Sequence, residues 1–427
     1  MASTTLLMKT LQGTAIALAL ALASCASTPK GVDPVESSIV QGDAVALGFD
    51  PAKLNDIRVA YNADVMSGKI PGAYLLIGRQ GKVAFQQGFG VQGPGQTTPA
   101  SEQTIYRVFS MTKPITAVTA MTLVEEGKIN LDDPVSKYLP AFADVKVLQK
   151  DGTQTKATKP ILIRQLMSHT SGLIYGFVTA GQPISKIWID GGEMRSDLSA
   201  KDLSEQVYAK LPLIAEPGAA WNYSHGLDVL GGVIEKVTGK TLDVVVKEKV
   251  TGPLGMTDTA FYQPKEKAGR FAQPKDAGSQ IAGVSLYYDY ASPTPYMQGG
   301  GGMSSTAEDY LRFVLMLANK GTYKGVQILK PETVALMLVD QTTAEVRGKG
   351  LFFPGQGMGF GLGMSLVIDD TKQRPGNGTF SWNGVAGTEW WYDPKNDLFM
   401  IFMQQDRALL AEYQRKNRTW IYDALKK

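Results

Sequence analysis

The hydrophobic pattern of this chain changes period more than once. Residues 49 to 66 place apolar positions on one helical face and stop near Gly68. Tyr74 to Arg79 and Lys82 to Gly88 are short apolar runs around Gln80-Gly81, which predicts a β-hairpin. Thr104 to Val108 is extended and leads to Ile115 to Val124, an almost uncharged helical run closed by Glu125, Glu126 and Gly127. Leu131-Asp132-Asp133-Pro134 predicts a helix start with proline at the first helical position. Helical spacing continues from Ile161 to a turn before Leu173, over Lys201 to Leu211, Leu227 to Val237 and Leu242 to Val250. Residues 174 to 198 are rich in glycine and aromatic side chains and read as a loop over a site. Residues 265 to 298 are irregular and polar. Gly299 to Gly302 follow, read either as tight turns or as a close backbone approach. Ser305 and Glu308 make a capping-box pattern for a helix from Ala307 to Ala318, and Pro331 to Leu338 is a further short helix.

From residue 357 the pattern turns to strands: Met358 to Ile368, Gly378 to Asn383, Gly387 to Tyr392 and Leu398 to Gln404, before an amphipathic helix from Ala408 to Leu425. Strands at both ends with helices between predict an α+β fold whose single antiparallel sheet is built from both termini. The expected division is an α/β domain from residues 46–109 and 290–427, interrupted by a mainly helical domain at 110–289, with the site where they meet.

The first 24 residues read as an export leader. Lys9 supplies a positive charge, and Thr14 to Ala23 is apolar but too short to span a bilayer. Residues 25–45 read as a flexible tether. Cys25 is the only cysteine among 427 residues, so no internal disulfide can form. Hydrophobic residues make up 44% and charged residues 19%, enough apolar material for a sizeable core. The net charge of +3 carries no block of like charge, so no nucleic-acid footprint stands out. Two separated histidines, His169 and His225, make no metal motif, and no metal or organic cofactor is expected.

The chemistry gathers at Val108-Phe109-Ser110-Met111-Thr112-Lys113-Pro114. Residues three apart on a helix share a face, so a helix starting near Ser110 brings the Lys113 nitrogen to the Ser110 hydroxyl. A lysine whose pKa is lowered can take the serine proton, which makes Ser-x-x-Lys a two-residue nucleophile and base. The helix start also points N–H groups and a positive dipole end at whatever binds there. The same residues read equally as an N-cap serine and a solvated first-turn lysine. A second Ser-x-x-Lys, Ser27 to Lys30, has no helix behind it.

Two further stretches complete a pattern: Tyr223-Ser224-His225 and Trp382-Asn383-Gly384, supported by Leu166 to Leu173, Gly301 to Thr306 and Gly387 to Pro394. Over residues 50 to 425 the chain resembles the serine β-lactamase and penicillin-recognising superfamily, most of all its family VIII carboxylesterases. The resemblance implies a β-lactamase-like fold, an antiparallel sheet flanked by helices with an inserted helical domain. It implies Ser110 as the acyl-accepting nucleophile, Lys113 as its base and Tyr223 as a second acid/base group, whose pKa nearby cations would have to lower. It implies an oxyanion hole from the backbone N–H groups of Ser110 and Val385. Trp382, Asn383, Gly384, His225 and Tyr175 are expected around the cleft, although His225 also reads as an ordinary helix-start histidine. His169 is expected to be structural, its ring bonded to backbone near Thr170.

Trp382 replaces the lysine of the family's Lys-Thr-Gly, which removes a charge that would face a carboxylate and argues for neutral esters. Leu22-Ala23-Ser24-Cys25 resembles a bacterial lipobox, with Cys25 lipidated and Ala26 pointing to the outer membrane, facing the periplasm; an ordinary secretory cleavage is the other reading. The expectation is an exported, lipid-anchored serine hydrolase acting on small, short-chain esters. The alternatives are a class C-like β-lactamase or D-Ala-specific carboxypeptidase or aminopeptidase, and a non-catalytic envelope lipoprotein that binds a ligand.

Overall fold

Asp50 accepts a hydrogen bond from the Ala52 amide and Pro51 occupies the first turn, so the chain enters helix α1 (Pro51–Met66) at a well-made cap. This is a computed structural model; it describes residues 39–426 except 276, 277, 279, 282, 283, 286–290 and 374. The leader, Cys25 and most of the tether lie outside the described residues.

Strands β1 (Gly72–Arg79) and β2 (Lys82–Gly90) form the predicted hairpin. Its turn needs left-handed backbone at Gln80 and Gly81, with φ of 56° and 69°. After the hairpin, helix α2 (Thr112–Glu125) runs through the core, and helix α3 (Gly226–Thr238) packs against it. Helix α4 (Ala307–Ala318) leads back to the sheet. There the chain adds β3 (Met358–Phe360), β4 (Ser365–Val367), β5 (Phe380–Asn383), β6 (Glu389–Asp393) and β7 (Leu398–Met403), then helix α5 (Leu410–Ala424). The seven strands lie in the order β3-β4-β5-β6-β7-β1-β2, every pair antiparallel. The sheet is built from both ends of the chain, as the pattern predicted.

Side chains alternate across a strand, and here both faces are covered. Tyr74, Leu76, Trp390, Ile401 and Met403 join the core that includes α2 and α3. Leu75, Ile77, Trp391, Met400 and Phe402 join a second core under α1 and α5. Burial on both faces explains why Leu398 to Met403 is a continuous apolar run rather than an alternating one.

Several predicted boundaries move. The α-helix begins at Thr112, not near Ser110, which sits in a single 3-10 turn over Phe109–Met111. Pro134 caps a short 3-10 turn (Val135–Lys137) from outside instead of opening an α-helix. The cap of α4 is Thr306, whose hydroxyl accepts from the Asp309 amide, because Ser305 is taken up in a short strand opposite Tyr106. Residues 358 to 368 are two strands, folded back at Gly361 to Met364. The helix expected over 201–211 ends at Gln206, and that over 242–250 passes into a π turn at Lys247–Thr251. The loop 174–198 contains a helix, Pro183–Asp190.

Candidate active site

The chain reaches Ser110 through an uncommon backbone conformation. Phe109 has φ of 44°, the left-handed region that bulky side chains avoid at a cost of about 1–3 kcal/mol. The positive φ turns the short strand Tyr106–Arg107 sharply into α2 and leaves Ser110 at the helix mouth. Phe109 is held by packing on Ala386, with Val385 beside it, so the backbone after β5 lies next to the serine.

The predicted trio comes together. Lys113 Nζ donates to Ser110 Oγ at 3.2 Å, and Tyr223 Oη donates to the same oxygen at 2.6 Å. Lys113 is 1% exposed, which overturns the solvated first-turn reading. Burial lowers its ammonium to about 7, against the pull of Asp228, which favours the charged form. The lysine is therefore close to balanced between base and acid at neutral pH. Its Nζ also donates to the Gly300 carbonyl at 2.6 Å and to Tyr175 Oη at 3.2 Å.

Tyr223 departs from expectation. Lys113 Nζ lies 4.5 Å from its ring centre, yet burial dominates and raises the phenol above its ordinary pKa. Tyr223 is thus a protonated hydroxyl donating to Ser110, not a phenolate.

A buried carboxylate network, which sequence reasoning missed, stands behind the lysine. Asp228 Oδ2 accepts from Tyr175 Oη at 3.0 Å and from His225 Nδ1 at 2.8 Å, and Oδ1 accepts from the Gly300 amide at 2.7 Å. His225 Nε2 reaches Glu193 Oε2 at 3.1 Å, and the same oxygen accepts from the Gly176 amide. Burial opposes charge on His225, but hydrogen bonds to the two carboxylates outweigh it and raise its pKa. Burial likewise works against the Asp228 carboxylate, and the bond from His225 overcomes it, holding that pKa low. Asp228 was findable, since it lies one helical turn after His225. Glu193 sits in an irregular segment with no pattern to mark it.

Of the four glycines, Gly299 and Gly300 resolve in favour of close approach. A Cβ on Gly299 would lie 2.5 Å from the Leu227 carbonyl oxygen, and one on Gly300 only 2.4 Å from Tyr175 Oη.

The cleft in front of Ser110 has a volume of about 400 Å³. Trp382, Asn383, Val385, Tyr223 and Tyr175 line it, as predicted, together with Phe177, Met194, Phe353 and Arg407, which were not predicted. Two expected cleft residues are elsewhere. His225 is fully buried behind Tyr175, their rings 4.1 Å apart. Gly384 backs onto the Val108 carbonyl, where a Cβ would come within 2.4 Å. His169 is structural, but its Nδ1 pairs with the Ser224 hydroxyl at 3.1 Å, not with backbone near Thr170. Its φ of 57° turns the backbone after the helix Ile163–Met167. Among the described residues no group of three or more His, Cys, Asp or Glu could hold a metal ion.

Comparisons with known proteins agree with this geometry. The family model described as Beta-lactamase matches residues 52–423. Protein Rv1367c of Mycobacterium tuberculosis is 37% identical over 356 residues, covering 79% of this chain and 86% of the relative. Esterase EstB of Burkholderia gladioli is 32% identical over 390 residues, covering 84% of this chain and 93% of its own. Among solved structures, EstCE1, described as a hydrolase with promiscuous acyltransferase activity, matches at a TM-score of 0.73 and 28% identity, covering 88% of this chain and 100% of its own. The chain belongs to the beta-lactamase family: it is a serine hydrolase of the β-lactamase fold, related to the EstB esterase.

Proposed function

We propose that this protein is a carboxylesterase that cleaves small neutral esters through an acyl-enzyme on Ser110. The observation that carries the reading is the meeting of Lys113 Nζ and Tyr223 Oη on Ser110 Oγ, at 3.2 and 2.6 Å, beneath an aromatic cleft. In the reaction, Ser110 Oγ bonds to the ester carbonyl carbon as its proton passes to neutral Lys113. The carbonyl oxygen becomes an oxyanion, which the N–H groups of Ser110 and Val385 stabilise. When the tetrahedral centre collapses, the C–O bond to the alcohol breaks. Tyr223 donates its proton to the departing oxygen and recovers one from Lys113. Water then attacks the acyl carbon by the same route, releasing the acid and returning the proton to Ser110.

The aromatic wall of Trp382, Phe353 and Tyr223 supports a short apolar acyl or alcohol group. One observation supports the β-lactamase alternative. Arg407 lines the cleft rim and offers the cation that Trp382 does not. The deciding experiment compares p-nitrophenyl butyrate with nitrocefin, for protein lacking residues 1–25 and its Ser110→Ala variant. Ester turnover that disappears in the variant, with little nitrocefin turnover, is expected. Nitrocefin turnover above ester turnover would transfer the protein to the β-lactamase side, and no Ser110-dependent turnover of either would sink the hydrolytic reading.

The proposal includes location: export through residues 1–24 and a lipid anchor on Cys25, in the outer membrane facing the periplasm. The support is the Leu22-Ala23-Ser24-Cys25 run holding the chain's only cysteine. Full-length protein should fractionate with membranes and Cys25→Ser should not; equal partition of the two refutes the anchor.

A further inference from the structure

One wall of the cleft is tied at both ends to a single buried carboxylate. Phe177, Val178 and Met194 are half-buried and line the cleft, and the chain between Val178 and Met194 carries the helix Pro183–Asp190. Each end of this wall stands beside an anchor: Gly176 precedes Phe177, and Glu193 precedes Met194. Glu193 is 1% exposed. Its Oε2 accepts from the Gly176 amide at 2.8 Å and meets His225 Nε2 at 3.1 Å. One oxygen thus joins both ends of the wall segment to the residue that caps α3.

The anchor point is itself held. The His225 ring stacks on Tyr208, with centres 4.5 Å apart, and its Nδ1 pairs with Asp228 Oδ2 at 2.8 Å. The Tyr208 hydroxyl donates to the Glu193 carbonyl at 2.9 Å, and the Ser185 hydroxyl to the Gly176 carbonyl at 2.6 Å. A Cβ on Gly176 would lie 2.6 Å from Glu193 Oε1, so the carboxylate closes over bare backbone. Side chains that meet a substrate keep their geometry only when the groups behind them are locked, and here Glu193 is that lock.

The mechanism assigns the substrate to the two sides of the cleft. Tyr223 protonates the departing alcohol, and its ring lies against Phe353 and Trp382, with centres 5.0 and 5.7 Å away. The alcohol therefore leaves along those rings. Tyr175 stands between Tyr223 and Phe177, with ring centres 5.3 and 4.9 Å from its own, so the wall of Phe177, Val178 and Met194 is the other side and receives the acyl chain. We propose that Glu193 is a positioning residue that sets acyl-chain length: it fixes the wall against which the chain ends. The inference rests on the acyl-enzyme reading above.

The test is the ratio of kcat/KM for p-nitrophenyl butyrate to that for p-nitrophenyl octanoate, which share a leaving group. Any effect of Glu193 that travels through His225 and Asp228 to Lys113 acts on both esters alike and cancels in the ratio. Wild type should favour butyrate by about tenfold or more, the scale on which an apolar wall discriminates. Glu193→Ala leaves the Gly176 amide and His225 without their acceptor and should lower that preference about tenfold. Glu193→Gln keeps an oxygen able to accept from both and should retain most of it. Gly176→Ala pushes the carboxylate off its seat with Glu193 in place, and serves should Glu193→Ala not fold; it should shift the ratio the same way. Hydrogen exchange of the amides from 176 to 194 reads the tie without turnover and should quicken in Glu193→Ala. Equal kcat/KM for the two esters in wild type, an unchanged ratio or unchanged exchange in Glu193→Ala, or the same shift in Glu193→Gln as in Glu193→Ala overturns the inference. Turnover with an unchanged ratio overturns this role alone, whereas absence of Ser110-dependent turnover overturns the esterase reading and this role with it.

Discussion

Replacing Asp228 by Asn tests whether Lys113 is the group that takes the serine proton. The Tyr175 hydroxyl bridges Lys113 Nζ and the Asp228 carboxylate by bonds of 3.2 and 3.0 Å. The two charges are therefore no more than about 6 Å apart. At an effective dielectric of about 20, their attraction is about 332/(20 × 6), or about 3 kcal/mol. At about 1.4 kcal/mol per pH unit this is worth about 2 pH units, and relaxation around the asparagine will trim it to about 1–2. The sign follows from the form that Asp228 favours. The carboxylate stabilises the ammonium, so without it Lys113 gives up its proton at lower pH. Wild type should show an acidic limb in kcat/KM near pH 7. In Asp228→Asn that limb should move down, even as the maximum falls from poorer positioning of Tyr175. The assay is p-nitrophenyl butyrate hydrolysis across the acidic and neutral range, with circular dichroism confirming the fold at each pH. A limb that stays in place, or moves up, refutes Lys113 as the titrating base.

Gly300→Ala should lower kcat by about 10²-fold, the scale of a 1 Å misplacement. Its new Cβ would meet Tyr175 Oη at 2.4 Å and displace the carbonyl that holds Lys113; a wild-type kcat in steady-state kinetics would remove that carbonyl from the site. Lys113→Met should abolish turnover yet stabilise the protein at neutral pH by about 1–3 kcal/mol, because a buried amine gives way to an apolar chain. A folded pKa of about 7 against the ordinary 10.5 means the unfolded state binds more protons between those values, so wild-type stability gains from this group as pH rises. Urea titrations on both sides of neutrality should show that slope in wild type and its loss in the variant. Trp382→Ala should cost about 3–5 kcal/mol in the same titrations, since the ring is buried edge-on against Phe360 at 5.1 Å; a loss under 1 kcal/mol would mean the cleft collapses around the gap.

The parts of this fold that were legible from sequence are those where local chemistry and tertiary packing demand the same thing. Gln80-Gly81 can make a tight turn wherever it occurs, and it does. Helix α2 is buried from Ile115 to Leu123, so the lack of charge along that run showed in the pattern. The misplaced boundaries have the opposite cause. Ser305 has the side chain for a cap, but the strand partner Tyr106 claims it and passes the role to Thr306. Ser110 lies outside the α-helix because Phe109 is forced to positive φ by its packing on Ala386, a contact across more than 270 residues of chain. His225 was expected in the cleft because its motif neighbour Tyr223 is there, yet the backbone at the start of α3 points it inward to Asp228 and Glu193.

The sequence by itself determined the class of fold and the sheet built from both termini, because these are written in hydrophobic period, and it offered Ser110 and Lys113 as a pair by their spacing, while Tyr223 was marked only through the family resemblance. Tertiary structure alone decided the electrical state of those groups. Whether Lys113 is a base depends on burial and on a carboxylate supplied from another helix, and whether Tyr223 keeps its proton depends on how dry its pocket is. Spacing along a chain records which groups are available, but dielectric and distance, which set their pKa values, exist only once remote segments have packed together.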